Sequence, residues 1–211
     1  DGDWHAYGRD PGGERFSPLD AIRPENVASL QVAWTFRTGD AYQPKTGRPT
    51  AFEATPLHID GTLYLSTPLG RVIALDPVSG QQKWAFDADV PRDRGYGDFA
   101  SRGVSAWRGG AEQRIFVATI DARLIALDAK TGQPIREFGD AGIVDLRKGL
   151  RIAPEGFADY QVTSPPAVVG DTIVDGSAIQ DNARTTEPSG EVRGFDAITG
   201  KQKWAWDPAP Q

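Results

Sequence analysis

Short apolar runs bounded by polar residues recur along the chain and predict β-strands. Residues 72–75 read Val-Ile-Ala-Leu and residues 124–127 read Leu-Ile-Ala-Leu, each preceded by Arg and followed by Asp. Short runs without polar alternation are typical of strands that are buried on both faces. No stretch shows the apolar spacing of an amphipathic helix of useful length. The pattern therefore predicts an all-β chain.

The two runs belong to a longer unit that occurs three times. Each unit has an apolar strand, a spacer, a strand that ends in Asp, a Ser/Thr-Gly turn and a further strand. The Asp and Gly positions of the three units are Asp76 and Gly80, Asp128 and Gly132, and Asp196 and Gly200. The Asp side chain supplies an acceptor for the turn, and the glycine supplies a positive φ.

A Trp four residues after the turn glycine completes the first and third units, as Trp84 and Trp204. Such a large, flat side chain is expected to dock between neighbouring units. The second unit has Ile135-Arg136 in its last strand, with Arg136 at the Trp position, which predicts weaker docking there.

The spacing of the units is uneven and predicts two long inserts. Asp76 and Asp128 are 52 positions apart, and Asp128 and Asp196 are 68 apart. The extra length lies at about 88–112 and 139–162, and long inserts on a regular β-repeat usually lie on one face, where ligands bind. Strands that recur with turns and Trp favour a β-propeller, with blade repeats near 55–90, 113–138 and 163–206.

Composition narrows the class of protein and the partners. Apolar residues make up 39% of the 211 residues and charged residues 25%, so a buried core is expected rather than disorder. The net charge of −6 argues against a nucleic-acid partner. The absence of Cys excludes disulfides and thiolate metal sites. No apolar run reaches the length of a membrane span, so any membrane or export signal is expected outside this chain.

The repeats resemble the tryptophan-docking units of the quinoprotein alcohol and sugar dehydrogenases, which use pyrroloquinoline quinone (PQQ). The resemblance covers essentially the whole chain. Matching segments lie at 3–10, 15–19, 26–40, 53–57, 101–104, 163–166 and 176–182. The run Ser-Gly-Glu-Val-Arg-Gly-Phe-Asp at 189–196 is most similar to the membrane-bound glucose and quinate dehydrogenase branch.

The resemblance implies a fold and an activity. Family members have eight four-stranded antiparallel blades around a central channel that holds PQQ and a divalent metal, usually Ca²⁺. Residues 1–211 would form the N-terminal portion, about three to four blades, of such a propeller. The implied function is periplasmic oxidation of a sugar or polyol, of glucose/aldose or quinate type. Electrons would pass to ubiquinone or a cytochrome, and any membrane anchor would lie in segments outside this chain.

Glu53 and Arg102 are the first two candidate cofactor-binding residues. Glu53 lies at the start of a predicted, otherwise apolar strand. The resemblance places it near the rim of the PQQ ring system, and the alternative is a solvent-exposed loop carboxylate. Arg102 could bind the carboxylates or quinone oxygens of PQQ, because a guanidinium suits planar anionic groups. The alternative is a surface Arg paired with Asp98 or Glu112.

The remaining cofactor candidates follow from the resemblance. Thr163, before Ser164 and two prolines, would hydrogen-bond a PQQ carboxylate or carbonyl, although a turn-stabilising role is the alternative. Ser177 and Ala178 would lie beside the cofactor ring.

Asp181 and Asn182 are the metal candidates. Asp181 is at the position of the family's metal carboxylate, and the pair offers a carboxylate and an amide oxygen to Ca²⁺ or Mg²⁺. An Asp-Asn turn is the alternative. Asp98 stands where some glucose-oxidising relatives carry His, which leaves the substrate open among glucose, another aldose, quinate, shikimate and a polyol.

Two consequences complete the sequence-based expectations. The family's catalytic Asp falls in later blades, so no catalytic residue is assigned here and the 211-residue chain alone is expected to lack turnover. A non-enzymatic PQQ-like-repeat propeller that serves as an assembly scaffold is the alternative function. Such a scaffold needs the Asp and Trp repeats but not Glu53, Arg102 and Asp181 together.

Overall fold

The structure is a computed structural model that describes residues 2–10, 12–45, 47–180 and 185–209. Within these ranges the chain forms strands and one short 3-10 helix, Val27–Ser29, without an α-helix. The strands in chain order are β1 (Ala51–Thr55), β2 (Leu57–Ile59), β3 (Thr62–Ser66), β4 (Arg71–Leu75), β5 (Gln82–Asp87), β6 (Ala100–Gly103), β7 (Ser105–Gly109), β8 (Glu112–Ala118), β9 (Arg123–Asp128), β10 (Ile143–Asp145), β11 (Tyr160–Gln161), β12 (Ala167–Val169), β13 (Thr172–Asp175), β14 (Ala178–Ile179), β15 (Val192–Asp196) and β16 (Gln202–Trp206). The all-β prediction is confirmed.

Three four-stranded antiparallel sheets form successive blades. Their strand orders are β2-β3-β4-β5, β7-β8-β9-β10 and β12-β13-β15-β16. Two short pairs join them: β1 lies parallel to β6, and β11 lies antiparallel to β14. The predicted partial propeller is therefore present as three consecutive blades.

The middle blade explains why the apolar runs lack polar alternation. In β9, Ile125 and Leu127 pack into the core shared with the first blade, whereas Leu124 and Ala126 pack into the core shared with the third. Successive side chains of a strand point to opposite faces, so a blade with a neighbour on each side buries both sets. These four side chains have no exposed surface.

The Asp-x-x-Ser/Thr-Gly turns form as expected. The carboxylate oxygen Oδ1 of Asp76 accepts hydrogen bonds from the backbone N–H of Ser79 at 2.8 Å and from its hydroxyl at 2.9 Å. Asp128 and Asp196 bind their Thr residues in the same way. Each turn therefore presents its backbone carbonyls and its glycine to the preceding unit.

Trp side chains dock on these turns from the preceding unit. The indole N–H of Trp34 donates to the carbonyl of Pro77 at 3.1 Å, and that of Trp84 donates to the carbonyl of Ala129 at 3.0 Å. The Trp84 ring lies against Gly132, where an added Cβ would come within 2.4 Å of it. The predicted docking of Trp84 between units is confirmed.

The second unit departs from the repeat alignment. Its outer strand is β10, and the Ile135-Arg136 stretch predicted to be that strand lies in a turn region instead. The guanidinium of buried Arg114 donates to the carbonyls of Ala197 at 3.1 Å and Ile198 at 2.7 Å in the next turn. A guanidinium therefore binds the carbonyl that an indole N–H binds at the preceding turns.

The third blade ends in an exposed outer strand. Trp204 and Trp206 of β16 are 41% and 61% exposed, whereas Trp84 is 9% exposed.

No helix among the described residues is long and apolar enough to cross a membrane.

Candidate functional site

The chain brings three lead-in segments together. Each blade is preceded by an extended segment: β1 leads to β2, β6 leads to β7, and residues 160–166 lead to β12. β1 and β6 pair in parallel, with Ala51 opposite Ala100. The backbone N–H of Arg102 donates to the carbonyl of Thr163 at 2.8 Å. Residues far apart in sequence thus lie side by side because they occupy equivalent places before successive blades.

Arg102 joins the other two lead-in segments through its side chain. Its Nη2 atom lies 3.0 Å from Oε2 of Glu53. Its Nη1 atom donates a hydrogen bond to the hydroxyl of Thr163. Three of the five predicted cofactor-binding residues therefore form one connected cluster.

The alternative partners of Arg102 are engaged elsewhere. Asp98 pairs with Arg48 at 3.2 Å, and Glu112 pairs with Arg114 at 2.9 Å. The surface pairing considered for Arg102 is therefore absent from the described residues. Asp98 still lines the same cavity as Arg102.

The Glu53–Arg102 pair remains accessible to solvent. The two side chains are 42% and 44% exposed. An ion pair of such exposure contributes about 0–1 kcal/mol to the free energy of unfolding, so the Glu53–Arg102 pair adds little to the stability of the fold. The guanidinium keeps further N–H donors for a ligand.

Two of the cavities beside this cluster are lined by several of the predicted residues. One of about 400 Å³ is lined by Arg102, Thr163 and Ala178, among others. The other, of about 240 Å³, is lined by seven residues in all: Thr163, Ser164, Pro165, Asp175, Gly176, Ser177 and Ala178. Arg102, Thr163, Ser177 and Ala178, four of the predicted cofactor-binding residues, therefore line one or both cavities. Glu53 joins them through Arg102.

Two buried polar atoms in the smaller cavity have no hydrogen-bond partner among the described residues. They are Oγ of Ser177 and Oδ2 of Asp175. Buried polar groups are nearly always hydrogen-bonded, so each of these atoms is available to a group that the described residues do not supply.

Asp175 was not among the sequence candidates. Burial raises the pKa of its carboxyl to about 7, although Arg193 and the backbone N–H of Gly176 act in the opposite direction. Its signal in the sequence is a single polar residue that ends the apolar strand run Ile173-Val174.

The two predicted metal ligands, Asp181 and Asn182, lie outside the described residues. Within residues 2–10, 12–45, 47–180 and 185–209, no group of three or more His, Asp or Glu side chains could hold a metal ion.

The donor set fits a planar, multiply charged anion such as PQQ. Arg102 supplies a guanidinium, and Thr163 supplies a hydroxyl that already accepts from Arg102 and keeps its own proton to donate. Ser177 supplies a buried hydroxyl without a partner among the described side chains. A cation, two hydroxyls and adjoining open space form a site for anionic oxygens.

Fold and site together define a propeller segment in which Glu53, Arg102 and Thr163 form a connected polar cluster at the lead-in segments of the blades. Residues 4–211 match the family described as "PQQ: Glucose/ethanol/alcohol dehydrogenase, beta-propeller domain". The chain belongs to this family of PQQ-dependent dehydrogenases.

Relatives and solved structures agree with this assignment. The chain is 39% identical to the quinoprotein glucose dehydrogenase of Escherichia coli and 38% identical to the quinate/shikimate dehydrogenase (quinone) of Acinetobacter baylyi. These matches cover 99% and 97% of this chain and 27% of each relative. The quinohemoprotein alcohol dehydrogenase of Comamonas testosteroni superposes with a TM-score of 0.75 at 30% identity, over 98% of this chain and 27% of that one. The chain thus spans about a quarter of the length of these proteins.

Proposed function

We propose that this chain supplies part of the PQQ-binding site of a dehydrogenase that oxidises a sugar or polyol. The observation that carries the proposal is the cluster of Glu53, Arg102 and Thr163 at an open cavity. These residues come from separate lead-in segments, and a fold-stabilising role accounts poorly for such an exposed ion pair.

Each residue of the cluster has a distinct role in this proposal. Arg102 binds an anionic oxygen of the cofactor through its guanidinium N–H groups. Glu53 orients the guanidinium, and the hydroxyl of Thr163 donates its free proton to a neighbouring cofactor oxygen. Ser177 donates its buried hydroxyl proton, and Ala178 lies beside the ring. When bound, PQQ supplies the acceptor for the hydride that leaves a CH–OH carbon.

Asp181 and Asn182 are proposed to hold Ca²⁺ or Mg²⁺ next to the cofactor. A carboxylate and an amide carbonyl are the oxygen ligands that these hard cations prefer. Asp181 follows Ala178 by three positions, so the proposed metal ligands are close in sequence to a residue that lines both cavities.

The substrate and acceptor classes are proposed from the relatives. Similar proteins are named for glucose, quinate/shikimate and glycerol, all compounds with several CH–OH groups. A sugar or polyol is therefore the proposed substrate, and a quinone or cytochrome the proposed electron acceptor. We place the reaction in the periplasm on the strength of the family resemblance.

Quenching of Trp fluorescence by PQQ tests the binding site. The chain is expected to bind PQQ more tightly with Ca²⁺ than without it. Arg102→Ala should weaken binding about 10–100-fold, because a charge-assisted hydrogen bond contributes about 1.5–3 kcal/mol. Arg108→Ala is the matched control, since Arg108 is a comparably exposed Arg paired with Asp60 at a distance from the cavities.

Equal quenching in the two variants would contradict the proposed site. No binding of PQQ by the full-length product of the gene that contains this sequence would favour the assembly-scaffold alternative. Oxidation of glucose, of quinate and of glycerol is then measured with the full-length product of the gene that contains this sequence. The assay contains PQQ, Ca²⁺ and a dye as electron acceptor. Failure of all three to be oxidised would contradict the proposed substrate class.

A further inference from the structure

We propose that Asp175 and Ser177 form a buried hydrogen-bonding subsite for a carboxylate of the bound cofactor, with the carboxyl of Asp175 as a proton donor. This inference rests on the proposed function, since it takes PQQ to be the ligand. It adds to the site an acidic residue, Asp175, where a basic residue would be the usual partner of an anion.

The position of Asp175 is the first support. Asp175 is the last residue of β13, is 5% exposed and lines the 240 Å³ cavity together with Thr163 and Ser177. Thr163 also contacts Arg102, so this cavity is continuous with the proposed cofactor cluster. A ligand held by Arg102 and Thr163 therefore lies next to the Asp175 carboxyl.

The second support is the pair of unsatisfied atoms. Oδ2 of Asp175 and Oγ of Ser177 are both buried without a hydrogen-bond partner among the described residues. Leaving a buried polar group unpaired costs about 1–3 kcal/mol, so two in one cavity indicate that a ligand group completes them.

Among the residues that the structure describes, none forms a direct ion pair with Asp175. Arg193, opposite Asp175 on β15, is the charged group that acts on it. Its guanidinium is committed to the carbonyls of Leu146 and Lys148 and to the hydroxyl of Tyr160. β12, the other neighbour of β13 in the sheet, carries no ionisable side chain. Neither does β14, which lines the same cavity through Ala178.

These surroundings favour the neutral carboxyl. Burial disfavours a charge at Asp175, and its pKa is raised to about 7. A protonated carboxyl can donate to a carboxylate of PQQ, whereas an ionised one would repel it. Cofactor binding raises the pKa of Asp175 further, since the bound anion stabilises the proton between the two oxygens.

The pH dependence of PQQ binding tests this subsite. We expect the affinity of the wild-type chain to fall up to about tenfold per pH unit above pH 7, the limit for loss of one linked proton. Asp175→Asn keeps a donor that cannot ionise, so it should bind like wild type at pH 6 and more tightly than wild type at pH 8.5. Asp60→Asn is the control for removing an exposed carboxylate elsewhere, and should follow the wild-type profile.

A direct measurement guards against a variant that fails to fold. The infrared spectrum of the wild-type chain with PQQ at pH 7.5 should contain the C=O stretch of a buried protonated carboxyl. Ser177→Ala should weaken PQQ binding to a similar extent at pH 6 and pH 8.5, because a hydroxyl does not titrate in this range.

The outcomes separate the two claims. Absence of PQQ binding by the full-length protein that contains this chain overturns the proposed function and the subsite with it. Binding with identical pH profiles for wild type and Asp175→Asn, or no protonated carboxyl in the infrared spectrum, overturns the subsite alone.

Discussion

Removing the docked Trp84 should uncouple the first blade from the second. Trp84 is 9% exposed, its ring lies on Gly132, and its indole N–H donates to the carbonyl of Ala129. Truncation of a buried Trp to Ala costs about 3–5 kcal/mol, and we expect that loss for Trp84→Ala. Trp84→Phe should cost less, about 1–2 kcal/mol, because the carbonyl of Ala129 still accepts from the hydroxyl of Tyr64 at 3.1 Å.

The facing glycine provides an independent test of the same contact. Gly132 has φ of +71°, and an added Cβ would lie 2.4 Å from the Trp84 ring. Gly61 has a similar φ of +65° with nothing within 4 Å of its Cβ position. Gly61→Ala should therefore lower the free energy of unfolding only by the cost of Ala at a positive φ, about 1–2 kcal/mol. Gly132→Ala should lower it by about 2–5 kcal/mol, because the added methyl group also overpacks against the Trp84 ring.

Urea unfolding followed by far-ultraviolet circular dichroism measures these differences, since changes of Trp would alter fluorescence. Trp204→Ala is the matched control, because Trp204 is 41% exposed and should lose much less stability than Trp84→Ala. Equal losses at the two Trp positions, or equal losses at the two glycines, would refute the docking account.

Three further predictions concern charge. Between about pH 4 and 7 the folded chain keeps the proton on Asp175 that the unfolded chain has lost, so wild-type stability should fall by up to about 4 kcal/mol across this window. Asp175→Asn should remove that slope in urea unfolding at pH 4.5 and pH 7.5, and an unchanged slope would contradict the assignment. Although partial burial opposes them, hydrogen bonds from Thr199 lower the pKa of Asp196 to about 2, so its stabilisation is present above pH 4 and lost as the pH falls towards 2. Thermal unfolding of Asp196→Ala should accordingly show a smaller loss on acidification, and an acid limb as steep as that of wild type would be inconsistent with this. Glu53→Gln should weaken PQQ binding in calorimetry less than Arg102→Ala does, because the amide oxygen still accepts from the guanidinium; a larger effect would indicate that the charge of Glu53 itself is needed.

The strands and turns could be predicted because each has a local cause. The runs at 72–75 and 124–127 are apolar at every position since their blades have neighbours on both faces. The turn at Asp128 depends on hydrogen bonds within four residues, which a sequence motif records directly.

The second blade shows where local reasoning failed. Arg136 aligns with Trp84, but the chain turns back through Phe138 and Gly142 before β10 forms the outer strand. The interblade contact is made by Arg114, whose partners lie more than 80 residues away. No pattern of neighbouring residues could indicate that contact.

The candidate site could be predicted only in part, because its contacts also join residues that are far apart in sequence. Glu53, Arg102 and Thr163 were found through family resemblance, and their proximity follows from the parallel lead-in segments. Asp175 was missed because a polar residue at a strand end is ordinarily a turn residue. Only the tertiary structure shows that its carboxyl is buried beside Ser177.

A crystal structure of the chain with bound PQQ would test the central claim most directly. We predict that a cofactor oxygen lies within hydrogen-bond distance of the Arg102 guanidinium, with the hydroxyl of Thr163 donating to the same group. Cofactor bound elsewhere, with the Glu53–Arg102 pair away from it, would contradict the account.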